Sequence, residues 1–127
     1  MPRLTMPFDG TPDEDHIGRV VKLNSAGDAC ELVTASSDLP IGIVVTIDDD
    51  QYGIATSGEY CFARVEASAT IAPGTTGLDV AGTTNAGIVG ATSGDVAVGY
   101  LSPRTIAAAG FSDEELVEVF VLPHVVA

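Results

Sequence analysis

The segment EYCFARVEASATI, residues 59–71, carries the clearest strand pattern in the chain. Small or apolar side chains alternate with polar ones, and a period of two places successive side chains on opposite faces of a β-strand. The buried face is predicted to contain Cys61, Ala63, Val65, Ala67, Ala69 and Ile71, and the solvent face Arg64, Glu66, Ser68 and Thr70. The segment therefore predicts a half-buried strand.

Similar short runs, rich in branched side chains, recur along the sequence and are separated by Gly-, Ser-, Asp- and Pro-rich turns. They are GRVVKL (18–23), DACELVTA (28–35), PIGIVVTI (40–47), DVAVGYL (95–101) and LVEVFVL (116–122). Short strands at intervals of about 8 to 12 residues indicate an all-β sandwich or barrel. We therefore predict a mainly β protein, built as a small β-barrel or sandwich-like domain.

Two of these runs place a glycine between hydrophobic residues. Gly42 lies in PIGIVV and Gly99 in AVGYLS. A glycine weakens a strand, so its presence usually marks a bulge, a tight bend or a close approach of another backbone. We expect one of these features at both positions, most simply a corner of a barrel.

One short helix is predicted at about residues 103–109. Ser102 suits the N-cap, Pro103 the first helical position, and Gly110 the residue after the end. A helix of this length is marginal by itself, so it should pack on the sheet.

Residues 1–16 differ in texture from the rest of the chain. They contain Pro2, Pro7 and Pro12 and too few hydrophobic residues to close a core. We predict an extended N-terminal arm over 1–16, either a disordered tail or a segment that orders on a partner. Residues 17–127 are predicted to form a single β-rich domain.

The charge of the chain argues against several classes of partner. The 18 acidic residues and 5 basic residues give a net charge of −13, which would repel the phosphates of nucleic acid. No stretch approaches the roughly 18 apolar residues of a membrane span, and the N-terminus lacks the pattern of a signal peptide. We expect no direct binding to nucleic acid or membrane, and synthesis in the cytoplasm.

The three aspartates at positions 48–50 follow the apolar run LPIGIVVTI directly. Their carboxylates could in principle bind Mg²⁺ or Ca²⁺, which prefer oxygen ligands. Neighbouring strand residues point to opposite faces, however, and the spacing of a calcium-binding loop is not present. A solvated turn is the favoured interpretation, and we predict no metal and no cofactor.

The cysteines and histidines do not form a recognisable reactive pattern. Cys30 and Cys61 lie in apolar segments without metal-ligand spacing, so two buried thiols are favoured over a disulfide. His16 and His124 stand near opposite ends of the chain, outside any catalytic motif. We predict no catalytic residue.

Two segments look somewhat like motifs of the trimeric dUTP pyrophosphatases, namely TIDDDQYGI (46–54) and TGLDVAG (76–82). That resemblance would make Asp48, Tyr52 and Asp79 the candidate residues. The motifs occur in the opposite order, the spacing to the tyrosine is one residue too long, and a basic phosphate-binding segment is missing. Such an enzyme remains a remote alternative.

A second resemblance covers about residues 18–123. The order of GRVVKLNSAGDACELVTASSD (18–38), LPIGIVV (39–45), GEYCFARVEASATIAPGTTGLDVAGTTNAG (58–87), GDVAVGYL (94–101) and EVFVLPHV (118–125) resembles the small bacteriophage capsid decoration proteins, also called cement or head-stabilising proteins. It is a likeness of strands and turns, without a chemical signature.

This resemblance implies a β-rich domain that binds major capsid protein on the outer surface of an expanded head, usually as a homotrimer. The implied role is mechanical, since decoration proteins stabilise the shell against the pressure of packaged DNA, and it places the protein in the virion. As a hypothesis, the arm contacts the capsid or a neighbouring subunit through Pro2, Arg3, Leu4, Met6, Pro7 and Phe8. The alternative is a virion or cell-surface adhesion module that binds carbohydrate.

Overall fold

The structure, a computed structural model, describes residues 4–34, 39–65, 77–80, 89–91, 96–102 and 115–125. It confirms a mainly β fold. The strands are β1 (Leu4–Pro7), β2 (Val20–Leu23), β3 (Cys30–Leu32), β4 (Gly42–Asp48), β5 (Gln51–Ala55), β6 (Tyr60–Val65), β7 (Gly77–Val80), β8 (Val89–Ala91), β9 (Val96–Leu101) and β10 (Glu115–Val125), and a 3₁₀ helix spans Glu14–His16. The helix predicted at about 103–109 lies outside the described residues.

The first sheet contains five antiparallel strands in the order β1-β5-β4-β2-β3. The hairpin of β4 and β5 forms its centre. Strands β1 and β3 lie at its edges, and a bridge from Phe8, just after β1, to Cys30 on β3 brings the two edges together at one end. The sheet is therefore strongly curved.

The second sheet follows the cyclic order β10-β6-β8-β7-β9, with β9 returning to β10. Its long antiparallel pairings join β10 to β6 and to β9. Among the described residues, the ring closes between β6 and β8 through a single parallel pair, Val65 with Val89. Because a single residue pair joins β6 to β8 among the described residues, the domain is better described as sandwich-like than as a regular barrel.

The main hydrophobic core lies between the two sheets. Ile43 and Ala55 contribute from the first sheet, and Ala63, Val98 and Val119 from the second, all essentially fully buried. The alternation predicted for β6 is confirmed over the residues described, since odd-numbered side chains are buried and even-numbered ones are not. Burial of branched side chains from both layers holds the sheets face to face.

Both strand glycines are sites of close backbone approach, one of the features predicted for them. A Cβ atom at Gly42 would lie 2.0 Å from the carbonyl oxygen of Ala55, and one at Gly99 would lie 2.0 Å from that of Phe120. Next to Gly99 the pairing of β10 with β9 shifts register, which marks an irregularity or bulge. Neighbouring strands therefore occupy the space that a side chain would need.

The N-terminal arm is extended over Leu4–Pro7, and it pairs with β5 of its own chain. A proline is tolerated there because β1 is an edge strand. Met6 and Phe8 pack against a second buried cluster on the first sheet, which includes Val21 and Tyr52. The arm thus covers a face of the sheet that would otherwise be exposed.

Both cysteines are buried and neither forms a disulfide, in agreement with the favoured interpretation. Cys30 belongs to the second cluster and Cys61 to the core between the sheets. Burial raises the pKa of the Cys30 thiol to about 11. The thiol therefore stays protonated at neutral pH, and a protonated thiol is a poor nucleophile.

No helix long and apolar enough to cross a membrane occurs among the described residues. The three aspartates belong to the β4–β5 hairpin, where Asp48 pairs with Gln51 and a two-residue turn connects the strands. Asp48, Asp49 and Asp50 are all exposed. The solvated turn favoured by the sequence is therefore what the structure contains.

Asp49 has a φ of 55°, in the left-handed region. A branched residue is disfavoured there by about 1–2 kcal/mol, whereas asparagine and aspartate tolerate it. We expect Asp49→Val to lower the free energy of unfolding by about 1–2 kcal/mol and Asp49→Asn to change it little. Urea unfolding followed by circular dichroism would measure both. Asp48→Val is the matched control, and an equal loss in that variant would contradict the argument from backbone strain.

Candidate functional site

The outer surface of β6 and β10 is apolar. The strands are antiparallel neighbours, with Phe120 opposite Tyr60 and Leu116 opposite Arg64. Since side chains alternate along a strand, the even-numbered residues within 60–64 and 116–122 point away from the core. We call this surface the β6–β10 face, and its hydrophobic members are Tyr60, Phe62, Leu116, Phe120 and Leu122.

The hydrophobic side chains of the β6–β10 face are unusually accessible. Phe62 is 57% exposed, Tyr60 and Leu116 are each 47% exposed, and Leu122 is 38% exposed. The rings of Tyr60 and Phe120 contact each other, with centroids 5.1 Å apart. Complete burial of one such side chain is worth about 1.5–3 kcal/mol. A contiguous exposed patch of this kind typically marks an interaction surface.

A shallow groove of about 600 Å³ runs along this face, and Ile17, Val45 and Cys61 add to its lining. Two hydrogen bonds hold the segment of Ile17 and Gly18 against β6. Arg64 donates from Nε to the Ile17 carbonyl (2.7 Å) and from its backbone N–H to the Gly18 carbonyl (2.8 Å). A Cβ at Gly18 would lie 2.7 Å from Leu116 Cδ2. The missing side chain lets the segment pack closely here.

The β6–β10 face contrasts with the acidic character of the whole chain. Among the side chains described within 60–64 and 116–122, Arg64 and Glu118 are the charged members of this face, one of each sign, and both are half-buried. A surface without net charge avoids the repulsion that other parts of a chain with a net charge of −13 would impose on a second copy. This local neutrality favours contact with another protein surface.

The capsid-contact residues predicted from the sequence do not form one exposed surface in the structure. Pro2 and Arg3 lie outside the described residues. Leu4 is 39% exposed on β1, whereas Pro7 is half-buried. Met6 and Phe8 are half-buried and pack on the first sheet of the same chain. Leu4 and the open edge of β1 are thus the described parts of the arm that are best placed to meet a partner.

The residues of the dUTP-pyrophosphatase interpretation do not form one site around Tyr52. The side chain of Tyr52 is fully buried, and its ring stacks on Phe8 with centroids 4.7 Å apart. Asp48 lies at the exposed end of β4, while Asp79 belongs to β7 in the other sheet. In this conformation Tyr52 cannot stack on a nucleoside.

The part of the chain that the structure describes contains no group of three or more His, Cys, Asp or Glu side chains placed to hold a metal ion. The exposed hairpin aspartates therefore do not come together as a cation site.

Sequence reasoning missed the β6–β10 face, although a signal was present. In the segments YCFARV and LVEVFVL, large hydrophobic residues occupy the even positions as well as the odd ones. A strand with only one buried face should carry polar residues on the other. Tyr60, Phe62 and Leu116 depart from that pattern and could have indicated a second, intermolecular contact.

Comparisons with protein-family models, with curated proteins and with solved structures found no match to this chain. The features that distinguish the β6–β10 face are its apolar composition, its exposure and its position on neighbouring strands of the second sheet.

Proposed function

We propose that this protein is a structural component of a bacteriophage head, a decoration protein that binds the outer surface of the expanded capsid. It acts as a homotrimer, contacts major capsid protein and stabilises the shell against the pressure of packaged DNA. The observation that carries the proposal is the exposed, locally neutral β6–β10 face on a strongly acidic β-rich chain. The likeness of the strand and turn order to decoration proteins supports the same role.

The two accessible surfaces suit different contacts. The β6–β10 face is broad and apolar, which suits the permanent interface between subunits of a trimer. Strand β1 lies at the edge of the first sheet among the described residues, and such an edge can add a strand or loop of another protein. We therefore assign the face to trimer contacts and the β1 edge, with Leu4, to the shell.

A trimer would bind a repeating lattice more tightly than a single subunit. Linking several weak contacts can raise the overall affinity by about 10²–10⁴ without any new contact. Such binding needs no deep pocket, and the many acidic side chains suit a surface that faces solvent, away from the genome. These properties fit a mechanical role on the outside of a head.

Sedimentation tests the proposal directly. The wild-type protein is expected to sediment as a trimer and to bind saturably to expanded empty capsids of the phage that encodes it, but not to unexpanded ones. Phe62→Asp should give monomers and lower capsid affinity by about 10²-fold or more through lost multivalency. Leu39→Asp is the matched control, because Leu39 is 60% exposed but lies outside the face.

The variant Leu4→Asp distinguishes the role of the β1 edge from that of the β6–β10 face. It is expected to remain trimeric and to bind the expanded shell more weakly. A monomeric wild-type protein that binds neither capsid form would overturn the proposal, and so would hydrolysis of dUTP by the purified chain. A trimer that Phe62→Asp leaves intact would show that the interface lies elsewhere.

An adhesion module is the second candidate, and one observation favours it. Tyr60 and Phe62 present aromatic surface to solvent, and carbohydrate-binding proteins often stack sugars on such rings. If the protein is an adhesion module, the wild type should bind a host polysaccharide but not capsids. Phe62→Ala should then abolish binding to the polysaccharide. Binding to capsids without binding to polysaccharide would exclude this function.

A further inference from the structure

Three aromatic rings from separate parts of the chain meet where the N-terminal arm crosses the first sheet. Phe8 follows β1, His16 ends the 3₁₀ helix, and Tyr52 lies on β5. The centroid of the Phe8 ring is 4.7 Å from that of Tyr52 and 4.8 Å from that of His16. We call these three residues the ring cluster. It joins the arm to the sheet it covers.

A short hydrogen bond inside the ring cluster links the imidazole of His16 to the hydroxyl of Tyr52. The hydroxyl of Tyr52 lies 2.6 Å from His16 Nδ1 and accepts a hydrogen bond from the backbone N–H of Asp13, at 3.2 Å. Since that N–H can only donate, the single hydroxyl hydrogen is available for Nδ1. This arrangement favours the neutral tautomer of His16 in which Nδ1 accepts and the proton lies on Nε2.

Protonation of His16 would reverse the polarity of this contact. Nδ1 would then become a donor to the Tyr52 oxygen, and the hydroxyl hydrogen of Tyr52 would lose Nδ1 as its acceptor. Tyr52 is fully buried, so water cannot easily replace that partner. A buried donor without an acceptor is among the more costly defects in a protein.

The groups around His16 have opposing effects on its pKa. Burial is the largest influence and lowers the pKa of His16 below its ordinary value of 6.5, and Arg19 lowers it further. Asp13 and Asp15 raise it. From β5 the neighbour is Tyr52, whose own pKa is raised chiefly by burial.

Behind Tyr52 lies the thiol of Cys30 on β3, which is also buried and protonated. Among the described residues, the neighbours of His16 on the sheet therefore supply no negative charge that would stabilise its protonated form. The net effect on the pKa of His16 is a lowering.

Among the described residues, the end of the arm is also held by hydrogen bonds at Phe8 and Asp9, including one from Asn24 Nδ2 to the Asp9 carboxylate (3.1 Å). The backbone N–H of Phe8 donates to the Asp50 carbonyl (3.1 Å), and that of Asp9 donates to the Cys30 carbonyl (2.7 Å). Strand β1 itself is four residues long and lies at the sheet edge. A change in the ring cluster can therefore shift the balance between a docked and a released arm.

We propose that His16 is a proton-sensitive latch: protonation of its imidazole releases residues 4–16 from the first sheet and exposes the edge of β5. The latch is argued from contacts within one chain and does not rest on the proposed function, although release would also move the β1 edge that we assign to the shell. The sign follows from linkage. A lowered folded pKa means that the released arm binds the proton more tightly, so docking weakens as pH falls through 6.5 toward the folded pKa.

Nuclear magnetic resonance of the imidazole nitrogens in the full-length chain tests the first half of the proposal. Near pH 7.5, His16 is expected as the neutral tautomer with its proton on Nε2, and its pKa should lie below 6.5. A proton on Nδ1 in the neutral form, or a pKa at or above 6.5, would overturn the latch.

Amide hydrogen exchange tests the release. Between about pH 7.5 and about pH 5, the protection factors of the Phe8 and Asp9 amides should fall about tenfold more than that of the Val121 amide. Val121 serves as the reference because its N–H donates to the Glu59 carbonyl at 2.8 Å in the second sheet. Equal changes at all three amides would contradict local release.

The variant His16→Asn is the matched control. The amide oxygen of asparagine can accept the Tyr52 hydroxyl hydrogen but does not titrate in this range. The extra loss of protection at Phe8 and Asp9 should therefore disappear in the variant. If the variant loses protection as the wild type does, His16 is not the group responsible. Should the variant fail to fold, the titration of the wild-type chain still decides the proposal.

Discussion

Replacing Gly99 by alanine is expected to cost at least about 3 kcal/mol of unfolding free energy, a large part of the about 5–15 kcal/mol that stabilises a typical domain. The new methyl group would lie 2.0 Å from the Phe120 carbonyl oxygen and 3.1 Å from the Leu122 backbone nitrogen. These are backbone atoms of the long strand β10, so no side-chain rotation can relieve the clash. The two strands must separate, and their hydrogen bonds would be lost.

Gly42→Ala should have a comparable effect in the other sheet. Its Cβ would lie 2.0 Å from the Ala55 carbonyl oxygen and 2.7 Å from Ile54 Cγ2. Strand β4 is the centre of the first sheet, so displacement there also disturbs β2 and β5. Urea unfolding followed by circular dichroism is the suitable measurement, because the chain has no tryptophan.

Gly27→Ala is the control for both substitutions. Gly27 has a φ of 77°, but nothing lies within 4 Å of a Cβ placed there. The loss should therefore be limited to about 1–2 kcal/mol of backbone strain. If Gly42→Ala and Gly99→Ala cost no more than Gly27→Ala, close backbone approach is not what requires glycine in these strands.

Truncation of Ile43 to alanine is expected to lower the free energy of unfolding by about 2–5 kcal/mol. Ile43 is fully buried in β4, where it pairs with Val20 on one side and Ala55 on the other. Its side chain belongs to the cluster between the sheets, so the cavity would open at the contact that holds the two layers together. Neighbours in regular strands cannot move far enough to fill it.

The control for Ile43→Ala is Leu39→Ala. Leu39 precedes the same strand and is 60% exposed, so its truncation should change stability by less than about 0.5 kcal/mol. Both variants can be compared through the midpoint of urea unfolding at an unchanged slope. A loss below about 1 kcal/mol for Ile43→Ala would mean that the contact between the sheets contributes little to stability.

Several strands could be predicted because their signal is local. The segments containing β2, β3, β4, β6, β9 and β10 all carry branched residues between turn residues, and the structure places a strand in each. Strands β5, β7 and β8 were missed. QYGIA and GLDV are short and contain glycine, so pairing with neighbours had to supply what their propensity lacks.

The N-terminal arm shows a different limit. Its prolines and sparse hydrophobic residues indicated an extended arm over residues 1–16; the backbone is a strand over Leu4–Pro7 but a 3₁₀ helix over Glu14–His16, and the partner of the strand lies far along the chain. Met6 pairs with Tyr52, and Phe8 stacks on the same ring. Neither residue predicts the other from local spacing, so the ring cluster and its hydrogen bond to His16 could not be seen in the sequence.

By itself, the sequence determined the class of structure, the alternation of β6, the burial of both cysteines and the need for something unusual at Gly42 and Gly99. All of these follow from the properties of single residues and their near neighbours. Only the tertiary structure decided which carbonyl oxygens press on those glycines, which apolar face remains exposed on β6 and β10, and what the arm covers. The physical reason is that strand pairing and burial join residues distant in sequence, and a period of two defines two faces without saying which of them another layer will cover.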